Sequence, residues 1–200
     1  MFRHGAPRTH GRSSSSSINW SGYAANTAGA GAYKSVFAQW TQPAVTCPAI
    51  GNYYSAFWAG LDGDFTSNTV EQTGSEADCS SVSPSYYGWY EMYPKVGYYF
   101  GGKVSPGDSM SASVNYSGGW FTLTLTDGKK WTATTRQRLN SAKLASAEAI
   151  VEAPSSAGGV LPPADFATAT FASSSLPPSA QTITMVTNSG TPKATPSGRR

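Results

Sequence analysis

"SMSASVNYSGGWFTLTLTD", residues 109–127, is the stretch whose reading decides the fold class. Two runs that alternate small polar and apolar residues, "SMSASVNY" and "WFTLTLTD", are bridged by "SGG". Alternation at a period of two puts successive side chains on opposite faces of a strand, and a short glycine-containing loop turns one strand back on the other. The stretch therefore predicts an antiparallel hairpin. Working outward, the same signal recurs. "SVFAQWTQP" (35–43) alternates until Pro43 stops it, and "YYSAFWAGLDGD" (53–64) runs into a turn at Asp62-Gly63-Asp64. "NTVEQTG" (68–74), "YYGWYEMYP" (86–94), "SAEAIVEAP" (146–154), "DFATATFA" (165–172) and "QTITMVT" (181–187) follow. Only "LNSAKLASAEA" (139–149) is ambiguous between helix and strand. Many short strands with closely spaced turns predict an all-β domain, a β-sandwich or a closed barrel.

Composition sets outer limits. The chain has 200 residues, 39% hydrophobic and 12% charged, which suits one domain with an ordinary core. Its net charge is +3, yet no arginine occurs between Arg12 and Arg136, so no basic and aromatic cluster of the nucleic-acid-binding kind is visible. No apolar run is long enough for a membrane span. Residues 1–17 ("MFRHGAPRTHGRSSSSS") lack the apolar core of a signal peptide and read as a disordered leader, either a pro-segment remnant or an artificially trimmed start; residues 188–200 read as a polar tail. That leaves a single domain over 18–187. Cys47 and Cys79 are the only cysteines. They form either one disulfide, which would imply an exported protein, or two buried thiols in a cytosolic one.

The chemistry is narrowed by elimination. The only histidines, His4 and His10, lie in the leader, which removes His-dependent triads and metal sites from the folded part. An enzyme here would rely on carboxylates, and the glutamates are Glu71, Glu76, Glu91, Glu148 and Glu152. Strand parity groups Trp58, Gly60 and Asp62; Trp89, Glu91 and Tyr93; and Glu148, Ile150 and Glu152. In "VEQTG" the sharing set is either Val70, Gln72 and Gly74 or Glu71 and Thr73. Faces that mix Trp, Tyr and carboxylates suit a concave ligand-binding surface better than a core. Solvated strand faces with cross-strand aromatic pairs are the plainer alternative.

"NWSGYAA" (19–25), "FWAGLDGD" (57–64), "EQTG" (71–74), "YYGWYEMYP" and "AEAIVEAP" (147–154) stand in an order and spacing that resemble the glutamic peptidases, the eqolisin family, over residues 18–187. The resemblance implies a sandwich of two large curved antiparallel sheets, jelly-roll-like, and a secreted, monomeric, acid-acting endopeptidase that uses neither metal nor cofactor. Its partners would be polypeptide substrates, with no nucleic acid and no membrane. It also implies a catalytic pair, Gln72 and Glu152, with Glu148 as the rival for the second place. Trp58, Asp62, Gly74, Trp89, Glu91 and Tyr93 would line or support the cleft, Asp62 and Glu91 by orienting Gln72. The Asn19-Trp20 pair would pack near the site. Gln72 cannot take a proton, so its role would be to hold water and donate to an oxyanion.

Some positions depart from the family pattern. Ala149 stands where a bulky aromatic is common, Tyr87 where an acid often occurs, and Glu76 where aspartate is frequent. Family members continue after "ITMV" into a final strand of the "FTVTW" type, whereas this chain reads "TPSGRR"; either that strand is absent or the coding sequence is truncated, and a sheet lacking one strand would be less stable or inactive. Two other functions fit the same aromatic and acidic faces. One is a jelly-roll glycosidase using Glu91 and Glu152, for which Gln72 would be incidental. The other is a non-catalytic carbohydrate- or peptide-binding sandwich.

Overall fold

The computed structural model describes residues 14–64, 67–128, 130–177, 180–186, 189 and 191–196. Every regular element among them is a strand. The first eight are β1 (Ser14–Ser17), β2 (Trp20–Asn26), β3 (Ser35–Thr41), β4 (Asn52–Leu61), β5 (Val70–Ser80), β6 (Ser83–Tyr93), β7 (Tyr98–Lys103) and β8 (Ser109–Ser117). Then come β9 (Trp120–Asp127), β10 (Trp131–Gln137), β11 (Ser146–Glu152), β12 (Ser155–Ser156), β13 (Gly159–Val160), β14 (Phe171–Ser174), β15 (Gln181–Val186) and β16 (Pro192–Ala194).

The opening hairpin is β8 and β9, paired antiparallel from Met110↔Asp127 to Ser117↔Trp120. It lies within a five-stranded sheet of order β10-β9-β8-β3-β14. Opposite stands a nine-stranded sheet of order β1-β15-β2-β11-β4-β5-β6-β7, with β16 paired to β15; β12 and β13 form a separate small ribbon. Alternation explains why the sheets stack. Val36, Ala38 and Trp40, then Met110, Ala112 and Val114, then Phe121, Leu123 and Leu125 all turn inward from the small sheet. They meet Phe57, Ala59, Leu61, Ala147 and Ala149 from the large one. Burial of apolar side chains between two faces is what holds a sandwich shut.

The large sheet is buried on its other face as well. There a second cluster gathers Trp20, Ala24, Ala56, Trp58, Val70, Trp89, Ile150 and Ile183. β5 and β11 are consequently buried along almost their whole length. Cys47 and Cys79 are joined as a disulfide that ties the loop after β3 to the end of β5.

Several expectations change. The leader was to end at residue 17, but Ser14–Ser17 form a strand that pairs in parallel with Thr182–Met185; residues 1–13 lie outside the described residues. The polar tail was to begin at 188, yet Pro192–Ala194 returns to pair with β15. Among the described residues no strand of the "FTVTW" kind follows β15; β1 and β16 flank it instead. "LNSAKLASAEA" contains no helix: the chain turns through Leu144 at φ 55° and enters β11. "DFATATFA" supplies only the start of a strand, Phe171–Ser174. β7 and β10 were not legible beforehand.

Candidate active site

Hydrogen-bond register sets the site out in rows across the large sheet. One row runs Trp20–Glu152–Ala56–Glu76–Tyr87, the next Gly22–Ile150–Trp58–Gly74–Trp89–Tyr99, the third Ala24–Glu148–Gly60–Gln72–Glu91. Side chains two apart on a strand share a face. Glu148 and Glu152 on β11, Gln72 on β5 and Glu91 on β6 therefore all rise from the face that carries Trp58 and Trp89. This answers the parity question in "VEQTG": Val70, Gln72 and Gly74 take the aromatic face, and Glu71 and Thr73 take the other. All four of Gln72, Glu91, Glu148 and Glu152 are fully buried.

Glu152 is held by two nitrogen donors. The indole Nε1 of Trp58 donates to Oε2 at 2.9 Å, and Asn19 Nδ2 donates to Oε1 at 3.0 Å. The Asn19 amide cannot turn over freely, because Ser17 Oγ donates to its Oδ1 at 3.0 Å. The same hydroxyl accepts the backbone N–H groups of Asn19 and Trp20, so Ser17 shapes the turn that brings Asn19 to the carboxyl group. Ser17 was not recognisable in the sequence, since it closes a run of five serines with nothing to set it apart. Trp20 packs edge-on against Trp58 with centroids 4.9 Å apart, which fixes the indole plane.

Gln72 is aimed by its cross-strand partner. Its Nε2 donates to Glu91 Oε2 at 3.1 Å, across the β5–β6 pairing. Trp58 stands between Gln72 and Glu152. A Cβ on Gly60 would lie 2.9 Å from Trp58 Cζ3 and 3.1 Å from Gln72 Cβ. One end of the indole thus grips Glu152 while the other lies over Gly60 beside Gln72. Gly74 permits this arrangement: a Cβ there would sit 2.6 Å from Trp58 Cβ and against the Phe57 carbonyl. Trp89 is buried beside it, and Tyr93 packs partly buried on the same cluster.

Asp62 does something other than expected. β4 ends at Leu61 and Asp62 takes φ 65°, which breaks the alternation and turns its side chain off the parity of Trp58 and Gly60. Its carboxylate accepts three backbone N–H bonds, from Lys143 and Leu144 at Oδ2 (2.7 and 2.8 Å) and from Ala145 at Oδ1 (2.8 Å). It clasps the loop that delivers β11 and, with it, Glu148 and Glu152. Asp64 adds a second clasp, accepting from Asn26 Nδ2 and Gln181 Nε2 at 2.7 Å each.

Nine of the eleven acidic side chains are buried, a distribution that ordinary folds avoid. Burial pushes the Glu148 carboxyl well above its ordinary range, offset in part by the Ser146 hydroxyl and reinforced by Asp64, Asp62 and Glu71. Glu71 faces the inter-sheet core and is likewise raised, first by burial and then by the charge of Asp62. Glu148 stands across Gly60 from Gln72 in the register of the large sheet. Glu91 and Glu152 lie on strands separated by β4 and β5, and Glu91 is engaged with Gln72. A retaining glycosidase needs its two carboxyls about 5–5.5 Å apart, an arrangement these positions do not favour. No group of three or more metal-ligating side chains occurs among the described residues.

The fold of two stacked sheets is shared with solved glutamic peptidases. A solved scytalido-glutamic peptidase bound to a transition-state analogue superposes with a TM-score of 0.73 at 24% identity, covering 86% of this chain and 89% of that one. Aspergilloglutamic peptidase from Aspergillus niger matches at 30% identity with a TM-score of 0.52, over 57% of this chain and 71% of that one. In sequence, Aspergillopepsin-2 of Aspergillus niger is 29% identical over 177 residues, 74% of this chain and 63% of the relative. Residues 18–194 match the model of the peptidase A4 family, and the chain belongs to that family.

Proposed function

We propose that the chain is an acid-acting endopeptidase in which Gln72 and Glu152 share one activated water. The observation that carries this reading is the placement of both side chains on one face of the large sheet, at the two ends of the Trp58 indole. A carboxylate oxygen has lone pairs beyond the one given to Asn19 or Trp58, so Glu152 can take a proton from water as that water attacks a peptide carbonyl. An amide nitrogen carries two hydrogens; Glu91 fixes the direction of the group with one, and the other serves the developing oxyanion. Glu152, then protonated, passes its proton to the departing amine. A neutral amide suits acid conditions, since it donates at any pH and does not repel Glu152. The partners would be polypeptides met outside the cell by a monomer, in keeping with the disulfide.

The test is turnover of acid-denatured casein from pH 2 to 7, with xylan as a counter-substrate. Gln72→Ala and Glu152→Gln should each abolish casein cleavage while the folded near-UV spectrum persists. Full turnover in either variant, or cleavage of xylan by the unaltered protein, would overturn the reading. EDTA should leave the rate unchanged.

A further inference from the structure

The outer face of the small sheet, on the far side of the sandwich from Gln72 and Glu152, carries an ordered set of hydroxyls. Register aligns Ser111–Thr126–Thr132, Ser113–Thr124–Thr134 and Asn115–Thr122–Arg136 across β8, β9 and β10, and Ser117–Trp120 across the first two. Threonine hydroxyls bond to one another along it, Thr124 to Thr134 at 3.0 Å and Thr126 to Thr132 at 3.1 Å. Each hydroxyl can both donate and accept, and strand geometry repeats them about 4.8 Å across the sheet and about 6.8 Å along it.

One end of this array is cationic. Arg138 Cζ lies 4.0 Å and Arg136 Cζ 4.8 Å from the ring centroid of half-buried Trp120. Lys95 Nζ reaches the backbone carbonyl of Arg138 at 3.5 Å, which adds a third charge. Both guanidiniums are exposed, and among the described residues the ion pairs involve Lys130, Asp108 and Asp127 instead. No Asp or Glu occupies an outward position of β8, β9 or β10. A planar guanidinium matches a carboxylate in bidentate fashion, and stacking on an indole holds it ready for that bond.

We propose that this face docks an acidic polysaccharide. Its carboxylates would meet Arg136 and Arg138 beside Trp120, and its hydroxyls would lie along the serine and threonine rows. The alternatives fit less well. A peptide docks on a sheet edge or in a groove, whereas this is the open face of paired strands. A nucleic acid needs a longer run of phosphate contacts than three cations supply. A second copy of the chain would offer almost no carboxylates to the arginines, since nine of its eleven acids are buried.

Polygalacturonate is the probe, with dextran as the neutral polymer and poly-glutamate as the acidic peptide. Affinity electrophoresis should show retardation by polygalacturonate at low salt and none by dextran. Arg136→Gln with Arg138→Gln should weaken binding at least tenfold, and Thr124→Val with Thr134→Val severalfold at unchanged charge. Absence of retardation overturns the proposal, as does binding that survives the double arginine change. Equal retardation by poly-glutamate with no effect of the valine pair would reduce the face to simple charge attraction and overturn it equally. The assay reads binding rather than turnover, so its outcome is independent of whether the chain cleaves peptides.

Discussion

Asp62 offers the sharpest test of how the fold positions its site. Its carboxylate accepts three backbone N–H bonds from residues 143–145, two of them buried. Truncation to alanine leaves those two donors without a partner, at about 1–3 kcal/mol each, while the part-buried Lys143 N–H can rehydrate. Alanine must also hold φ 65°, a left-handed conformation costing roughly 1–2 kcal/mol for a residue with an unassisted Cβ. Asp62→Ala should therefore lose about 5 kcal/mol, a large part of the roughly 5–15 kcal/mol typical of a domain. Asp62→Gly separates the two causes, because it relieves the backbone and still removes the acceptor; it should lose about 4 kcal/mol. Asp62→Asn tolerates the conformation and keeps one acceptor oxygen, so about 2 kcal/mol is expected. Urea unfolding followed by tryptophan fluorescence measures all three, and at a slope of roughly 2 kcal/mol per molar the alanine midpoint should fall by about 2.5 M. If alanine and glycine both stay within about 1 kcal/mol of the unaltered protein, the clasp is not what holds β11 in place.

Stability should depend on pH in the direction opposite to that of a salt-bridged protein. Glu71 and Glu148 keep their protons in the fold well above the ordinary value of 4.5, so above that pH the unfolded chain ionises first and stability falls as pH rises. While both stay protonated in the fold, the loss approaches about 1.4 kcal/mol per group per pH unit. Glu71→Gln and Glu148→Gln should flatten the urea midpoint between pH 4.5 and 6, and a midpoint that climbs over that range would contradict the assignment. Gly74→Ala forces a Cβ to 2.6 Å from Trp58 Cβ and against backbone, so it should cost about 2 kcal/mol and shift the tryptophan emission. Opening the Cys47–Cys79 bridge, which spans 32 residues, should lower stability by about 3–4 kcal/mol, seen as a matching fall in the urea midpoint of Cys47→Ser with Cys79→Ser.

Much of the fold could be read from alternation, because a strand writes its two faces into neighbouring residues. β3, β8, β9 and β15 show this plainly, and Gln72 with Gly74 fell on the same parity as Trp58 once the register was known. β7 escaped because "YYFGGK" has no polar alternation; as an edge strand it exposes both Tyr98 and Tyr99. β10 escaped because its inward positions are only half-buried, so threonine serves on both faces and the apolar signal vanishes. The ambiguous run before β11 is decided from a distance, by a carboxylate 81 to 83 residues earlier in the chain.

The sequence alone determined an all-β chain, the absence of histidine beyond residue 10, and a short set of amides and carboxylates able to do chemistry. Tertiary structure decided how those groups are employed: Asp62 as a clasp, Glu148 as a buried acid, Ser17 as the residue that aims Asn19 at Glu152. Alternation records which face a residue takes, and it is local. Which residues meet on that face depends on the pairing of strands far apart in the chain, and so does how deeply each acid is buried.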